Sequence, residues 1–314
     1  MRLRHSPKIQ REAPTCGSWV DDGIGYRGRC FRRWLAGITL LGTSLAAPAQ
    51  QTPAPAQPAP AVKLYIFDLG QLKSANPQPL LDRGITVTDM SVVAYLIVHP
   101  RGTLVWDTGT IPDELIRPGG TTVARATVHK TLSGQLAEVG YKPADITYLA
   151  LSHYHYDHSA NANAFAGSTW LVQRPERAAM FPDGPVANPI DPDVVAKFSA
   201  LKNAKTVVLD GDRDVFGDGS VVIISTPGHT PGHQSLLVRL AKFGPLVLSG
   251  DLYHYPSERT LKDFLPFAGR GSDAQEAASK AKIEALLKET GATLWIQHDI
   301  VADAKLKKSP AYYE

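Results

Sequence analysis

Cysteine is scarce in this sequence: the 314-residue chain has two, Cys16 and Cys30. Both precede a stretch that has the form of a signal peptide, so a chain cut there would carry no thiol. A disulfide framework, a cysteine nucleophile and thiolate ligation of a metal are therefore excluded for the processed protein. Any metal site must be built from nitrogen and oxygen ligands.

Most of the chain has no excess of positive charge. The formal net charge is +3, but residues 1–49 hold eight basic and three acidic residues. The remaining 25 basic and 27 acidic residues give a net charge of −2. This balance offers no electrostatic basis for nucleic-acid binding, and we expect none.

No apolar run is long enough to cross a membrane as a helix. One shorter run, Trp34–Ala47, follows Arg32 and Arg33 and ends in the small-residue sequence Ala47-Pro48-Ala49. This is the arrangement of a secretory signal peptide, and paired arginines are typical of the twin-arginine export route. We expect residues 1–49 to be a removable extension and the mature protein to be periplasmic or secreted, without stable membrane association.

A proline- and alanine-rich segment separates this extension from the rest of the chain. Residues 50–61 suit neither a helix nor a sheet ladder and predict an extended linker. We assign residues 62–314 to one domain of the α/β class, with two sheets covered by helices. The predicted strands are Lys63–Asp68, Ser91–Val98, Thr103–Asp107, Ile146–Ser152, Ser220–Thr226, Ser235–Leu240, Pro245–Ser249 and Thr293–Ile296; the predicted helices are Thr131–Val139, Ser159–Phe165 and Asp273–Thr290.

Metal-ligating residue types cluster after the predicted strand Ile146–Ser152. His153 and His155 are two residues apart, so in extended backbone they point the same way. Asp157 and His158 follow where a helix is expected to begin, and can face a second position nearby. Neutral imidazoles and carboxylates are the usual zinc ligands when no thiolate is present. The segment therefore predicts ligands for two neighbouring metal ions.

Three further candidate ligands each follow a predicted strand. His229 lies in Thr-Pro-Gly-His-Thr-Pro-Gly-His, Asp251 in Ser-Gly-Asp, and His298 in Ile-Gln-His-Asp. Strand ends that open onto one rim commonly form a shared active site. His233, four residues after His229, and Asp107, in Trp-Asp-Thr-Gly, are interpreted as supports of ligands rather than ligands.

The ordered motifs His-x-His-x-Asp-His, Thr-Pro-Gly-His-Thr-Pro-Gly-His, Gly-Asp and a late histidine resemble the metallo-β-lactamase superfamily over about residues 62–305. The resemblance implies an αβ/βα sandwich of two facing mixed sheets with two metal ions at one edge. It implies that one metal is bound by His153, His155 and His229, that the other is bound by Asp157, His158 and His298, and that Asp251 bridges them. We expect two zinc ions per chain.

Two close divalent cations can lower the pKa of a shared water towards about 7 and polarise a scissile carbonyl or phosphoryl oxygen. This arrangement needs no protein nucleophile, and Asp157 is placed to take or return a proton. A metal-binding sensor or carrier without turnover is the non-catalytic alternative, but such a protein would not need this water-activating arrangement.

Within the superfamily, Lys63-Leu-Tyr-Ile-Phe-Asp-Leu-Gly, Val105-Trp-Asp-Thr-Gly and Gly228-His-Thr-Pro-Gly-His-Gln-Ser-Leu resemble N-acyl homoserine lactonases, which are quorum-quenching enzymes. The implied substrate is a small ester or lactone. The first alternative is an organophosphate or aryl-ester hydrolase of the methyl parathion hydrolase type. A β-lactamase and a glyoxalase II-like thioesterase are weaker alternatives.

One position departs from the lactonase pattern. Such lactonases usually carry a tyrosine three residues after the bridging aspartate, aimed at the substrate carbonyl, but here that residue is His254, between Tyr253 and Tyr255. We predict that Tyr253 or His254 contacts substrate, and that the acyl chain lies on Tyr156, Phe181 and Tyr253. The stretch from Phe181 to Pro192 is a candidate loop over the site.

Overall fold

The structure is a computed structural model that describes residues 61–261, 263–265 and 271–314. The predicted signal peptide and almost all of the predicted linker lie outside the described residues. Strands β1–β14 and helices α1–α7 are numbered in chain order. Within the described ranges, no helix is long and apolar enough to span a membrane.

A nine-stranded mixed sheet has the order β4-β5-β1-β2-β3-β6-β7-β8, with β14 pairing with β1. Its last three pairings, β3 with β6, β6 with β7 and β7 with β8, are parallel. Its strands are β1 (Lys63–Leu72), β2 (Met90–His99), β3 (Gly102–Trp106), β4 (Thr121–Val123), β5 (Ala126–Val128), β6 (Tyr148–Ala150), β7 (Thr169–Gln173), β8 (Thr206–Leu209) and β14 (Tyr312–Tyr313).

A five-stranded sheet has the order β13-β12-β11-β10-β9, in which only β12 and β13 pair in parallel. Its strands are β9 (Arg213–Asp214), β10 (Val221–Ser225), β11 (Gln234–Leu240), β12 (Gly244–Leu248) and β13 (Thr293–Trp295). The α-helices of the described residues are α1 (Gln78–Leu81), α2 (Leu132–Glu138), α3 (Tyr156–Ser159), α4 (Arg174–Met180), α5 (Pro192–Phe198), α6 (Asp273–Thr290) and α7 (Ile300–Asp303).

Alternate residues of each sheet pack into different cores. In β1, Leu64 and Ile66 contact the smaller sheet, whereas Phe67 lies in the core that the larger sheet shares with α2, α4 and α5. In β11, Leu236 faces the larger sheet and Leu237 packs with α6. Because both faces of each sheet are buried, the central strands consist of nearly continuous apolar runs. The predicted αβ/βα sandwich is confirmed.

Helix α6 has the predicted bounds because its ends are specified locally. The hydroxyl oxygen of Ser272 accepts a hydrogen bond from the backbone N–H of Gln275 at 3.4 Å, and Gly291 ends the helix with φ of +67°. Ile283 and Leu287, four residues apart, are buried against the smaller sheet.

Several predicted bounds and elements were wrong. The strand predicted over Ile146–Ser152 is confined to Tyr148–Ala150, because Ser152 onwards turns to present ligands instead of pairing. The helix predicted over Ser159–Phe165 is replaced by α3, which begins at Tyr156, and by a 3-10 turn over Ala162–Phe165. Strands β4, β5, β7, β8, β9 and β14 were not predicted.

Candidate metal centre

All seven predicted ligands follow strand ends at one edge of the sandwich. His153, His155, Asp157 and His158 follow β6; His229 follows β10; Asp251 follows β12; and His298 follows β13. The structure brings them together in two groups that share Asp251, and the candidate ligand atoms within each group lie within 4.8 Å of one another. One group is His153, His155, His229 and Asp251, and the other is Asp157, His158, Asp251 and His298.

The two carboxylate oxygens of Asp251 face different groups. Oδ2 lies 3.6 Å from Nε2 of His153 and 3.4 Å from Nε2 of His229. Oδ1 lies 3.0 Å from Nε2 of both His158 and His298. This is the geometry expected of a carboxylate that bridges two cations.

In the first group, three imidazole nitrogens converge. Nδ1 of His155 lies 2.9 Å from Nε2 of His153 and 3.0 Å from Nε2 of His229. Burial lowers the pKa of His155 to about 4 and holds the pKa values of His153 and His229 well below their usual range. All three imidazoles are therefore neutral at neutral pH, which is the form that binds a metal.

In the second group, hydrogen bonds on the far side of each ring determine which nitrogen faces inward. Nδ1 of His158 donates to Oδ2 of Asp107 at 3.0 Å, and Nδ1 of His298 donates to the carbonyl oxygen of Ser91 at 2.7 Å. The two Nε2 atoms lie 3.3 Å apart. In neutral imidazoles they would present facing lone pairs, which repel unless a cation or a proton lies between them. The donor set therefore fits a metal ion.

Negative charge dominates the second group. Burial opposes protonation of His158, but the carboxylates of Asp251 and Asp107 outweigh it and raise the pKa of His158 well above its usual range. Oδ2 of Asp157 adds to this field at 3.5 Å from Nε2 of His298. The position favours positive charge, which a divalent cation can supply in place of the proton. The chain therefore has a binuclear metal site of nitrogen and oxygen ligands.

Asp107 supports the second group, as the sequence predicted. It is fully buried, and its φ of +61° is uncommon for a residue with a Cβ. Oδ1 accepts from the backbone N–H of Ser152 at 2.6 Å, and Oδ2 accepts from Nε2 of Gln297 at 2.8 Å as well as from His158. Its backbone conformation is thus held by a network that orients a ligand.

His233 supports the bridging residue Asp251 and is not a ligand in either group. Its Nε2 accepts a hydrogen bond from the backbone N–H of Asp251 at 3.0 Å. Gly250 packs against this ring: a Cβ there would lie 2.7 Å from Nε2 of His233, and its φ is +56°. Glycine is required at this turn by both space and conformation.

Glu176 accepts hydrogen bonds from both loops that carry ligands of the first group. No sequence pattern predicted this role. Its Oε1 accepts from the backbone N–H of Tyr154, between His153 and His155, at 2.8 Å. Its Oε2 accepts from the hydroxyl of Thr230 and the backbone N–H of Gly232, each at 2.8 Å. Burial raises the pKa of Glu176 to about 7.

The two predicted substrate contacts that follow Asp251 lie in different places. His254 lines the cavity, with Nε2 at 3.4 Å from Oδ2 of Asp251 and Nδ1 at 3.4 Å from Oε1 of Glu258. Burial opposes protonation, but Glu258 and Asp251 raise the pKa of His254 to about 10.

Tyr253 does not line the cavity, and its prediction as a substrate contact was wrong. Its ring packs behind the smaller sheet, and its hydroxyl donates to Oε1 of Glu284 at 3.0 Å. Successive side chains in extended backbone point to opposite sides, so only one of two neighbours can reach the site. Tyr255 is also directed away, because its hydroxyl donates to the carbonyl oxygen of Thr88 at 2.7 Å.

A cavity of about 770 Å³ opens onto the metal groups. Its floor includes His155, Asp157 and His298, and its apolar walls include Leu72, Met90, Ile190 and Val194. Tyr156 lines it as predicted, and residues 188–191 of the predicted loop do too. Phe181 was wrongly predicted to hold the acyl chain, since its ring packs edge-on against Trp170 and Phe198.

Comparisons with known proteins agree with this geometry. A profile of the metallo-β-lactamase superfamily matches residues 87–292. The chain is 33% identical to N-acyl homoserine lactonase AttM of Azorhizobium caulinodans over 81% of this chain and 99% of that protein. It is 32% identical to N-acyl homoserine lactonase AttM of Agrobacterium fabrum over 80% and 98% of the two chains.

A solved structure of a Bacillus thuringiensis AiiA variant, with N-decanoyl-L-homoserine bound at its active site, superposes with a TM-score of 0.62. The sequence identity is 25%, over 80% of this chain and 98% of that one.

Proposed function

The chain belongs to the metallo-β-lactamase superfamily and is a metal-dependent hydrolase, and from this premise we propose that it opens the lactone ring of N-acyl homoserine lactones. The observation that carries the proposal is the shared carboxylate of Asp251 at the floor of a large, mostly apolar cavity. Relatives that are about a third identical over nearly their whole length bear the lactonase name.

We propose zinc as the metal at both positions. His153, His155 and His229 would hold one ion and Asp157, His158 and His298 the other, with one oxygen of Asp251 on each. Nitrogen and oxygen ligands in these numbers suit zinc. When bound, two such cations supply an activated water and polarise the ester carbonyl.

The chain's own residues then position the ester and move its protons. Asp157 lies at the cavity floor, and its carboxylate can take the proton that the attacking water loses and pass it to the alkoxide that leaves when the ring opens. His254 lines the same cavity, and a ring N–H can donate a hydrogen bond to the carbonyl oxygen as negative charge develops there. The aliphatic acyl chain would lie on the apolar wall formed by Leu72, Met90, Ile190 and Val194.

A substrate panel tests this proposal. We expect kcat/KM for N-octanoyl homoserine lactone to exceed that for methyl parathion, a phenyl ester and a β-lactam on the metal-loaded protein. A kcat/KM for the phosphotriester that exceeds that for the lactone about tenfold or more corresponds to about 1.4 kcal/mol in transition-state stabilisation. In that case the proposed function becomes organophosphate hydrolysis in place of lactone opening.

We also propose that the protein is exported and cut near Ala49. Arg32 and Arg33, the apolar run and the small-residue site support this, all within residues 1–60. N-terminal sequencing of natively produced protein is expected to begin close to Gln50 in an extracytoplasmic fraction. A mature start well upstream in the cytoplasmic fraction would contradict export.

A further inference from the structure

A guanidinium group holds a tyrosine at the cavity wall. Nη2 of Arg125 donates to the hydroxyl oxygen of Tyr156 at 2.8 Å, and Nη1 of Arg125 donates to the carbonyl oxygen of Lys73 at 3.0 Å. Arg125 and Tyr156 both line the cavity that contains the metal groups. Because the bond to Lys73 fixes the position of the guanidinium, the hydroxyl of Tyr156 is held by a fixed donor.

The backbone around Arg125 is specialised for this placement. Val123 pairs with Ala126, which leaves Ala124 and Arg125 as a two-residue turn between β4 and β5. Ala124 has φ of +50°, a left-handed conformation that residues with a Cβ adopt uncommonly. Such conformations persist where the surrounding structure enforces them, often at ligand sites.

Tyr156 has a hydrogen to donate. The phenol group carries one hydrogen, and its oxygen already accepts a hydrogen bond from Nη2 of Arg125. In the parts of the chain that the structure describes, no group accepts a hydrogen bond from it. Nζ of Lys197 lies 5.5 Å from the ring centroid, which covers the ring with a second cation. The hydroxyl hydrogen is therefore free to point into the cavity.

The position of Tyr156 suits a polar group next to the reacting ester. Tyr156 precedes Asp157 in the sequence, and Asp157 belongs to the second metal group. The wall of the same cavity includes apolar residues such as Ile190 and Val194. In an N-acyl homoserine lactone, the amide lies between the ring and the aliphatic chain. A donor in a cavity that contains both the metal groups and an apolar wall suits such a substrate.

We propose that Tyr156, oriented by Arg125, donates a hydrogen bond to the amide oxygen of the acyl group and so selects lactones that carry an amide. The inference rests on the proposed lactonase function and names the feature that distinguishes its substrates. Sites that are built to hydrogen-bond a substrate group reject analogues that lack it, because their own polar group is then left without a partner.

The test compares two lactones of equal chain length, N-octanoyl homoserine lactone and α-nonyl-γ-butyrolactone, which lacks the amide. The Y156F variant of the metal-loaded enzyme is expected to lose about tenfold in kcat/KM on the amide lactone and less than about twofold on the alkyl lactone. R125M should also lower kcat/KM on the amide lactone more than on the alkyl lactone. The double variant Y156F/R125M should lose little more kcat/KM on the amide lactone than Y156F alone, because Arg125 acts through Tyr156.

Tyr154 provides the matched control. It lines the same cavity, but among the described residues no arginine donates to its hydroxyl, so Y154F is expected to leave the ratio between the two lactones unchanged. Equal losses on both lactones in Y156F, or no loss on either, would overturn the inference while the lactonase function stands. If the wild type opens neither lactone, the proposed function fails and the inference fails with it.

Discussion

Nδ1 of His158 donates a hydrogen bond to Oδ2 of Asp107 at 3.0 Å, and this bond leaves Nε2 of His158 facing the second metal position. Asp107 is not itself a member of either metal group. It acts by fixing the ring orientation and tautomer of a ligand, and such supports commonly change metal affinity by about 10- to 100-fold when removed.

The D107N variant is therefore expected to bind its second metal ion about 10- to 100-fold more weakly and to lose activity in proportion at limiting metal. Asparagine tolerates the left-handed backbone at this position, so the change removes one acceptor oxygen and the negative charge while the side-chain shape is kept. Metal titration of the purified variant measures the effect. D214N is the control, because Asp214 accepts from the backbone N–H groups of Gly217 and Gly219 in a loop without ligands. Unchanged second-site affinity in D107N would contradict this role.

Glu176 is expected to make stability fall as pH rises. Burial raises its pKa to about 7 from the ordinary value of 4.5, so between these values the folded chain holds a proton that the unfolded chain has released. The stabilisation is complete below pH 4.5, declines through that window and is lost above about pH 7; its size is about 3 kcal/mol at most.

Urea unfolding of the wild type and E176Q from pH 5 to 8, at one metal concentration, measures this effect. We expect the free energy of unfolding of the wild type to fall relative to that of E176Q as pH rises. A constant difference across the range would show that the carboxyl group of Glu176 does not titrate there.

His254 is expected to contribute to kcat rather than to metal binding. H254F removes the donor and should lower kcat about 10- to 100-fold, whereas H254Y restores a donor and should recover most of the loss. Metal content is measured in parallel, because Nε2 of His254 lies 3.4 Å from Oδ2 of Asp251. Full kcat in H254F would remove His254 from the reaction.

The sequence predicted the metal groups well because their order along the chain is distinctive. His153, His155, Asp157 and His158 form one short motif, and each remaining ligand follows an apolar strand that can be read from its composition. The two-sheet architecture followed from the same motifs. Helix α6 was predictable to the residue because Ser272 and Gly291 specify its ends locally.

What the sequence could not give depends on contacts between distant segments. Arg125 and Tyr156 are 31 residues apart and meet only through the β4–β5 hairpin, whose strands have three residues each and carry little pattern. Glu176 looks like any acidic residue near a helix start until the fold buries it. Whether the side chain of Tyr253 or that of His254 points into the cavity depends on where the turn after Asp251 ends.

Zinc titration of metal-free protein, with bound zinc and lactone opening followed together, shows whether lactone opening needs two metal ions per chain. We predict about two zinc ions per chain, with activity on N-octanoyl homoserine lactone rising mainly as the second binds. D251A should bind its second ion weakly and lose most activity, because no carboxylate then offsets the charge between the two cations. Saturation at one ion per chain with full lactone opening, or wild-type metal content and turnover in D251A, would contradict the binuclear account.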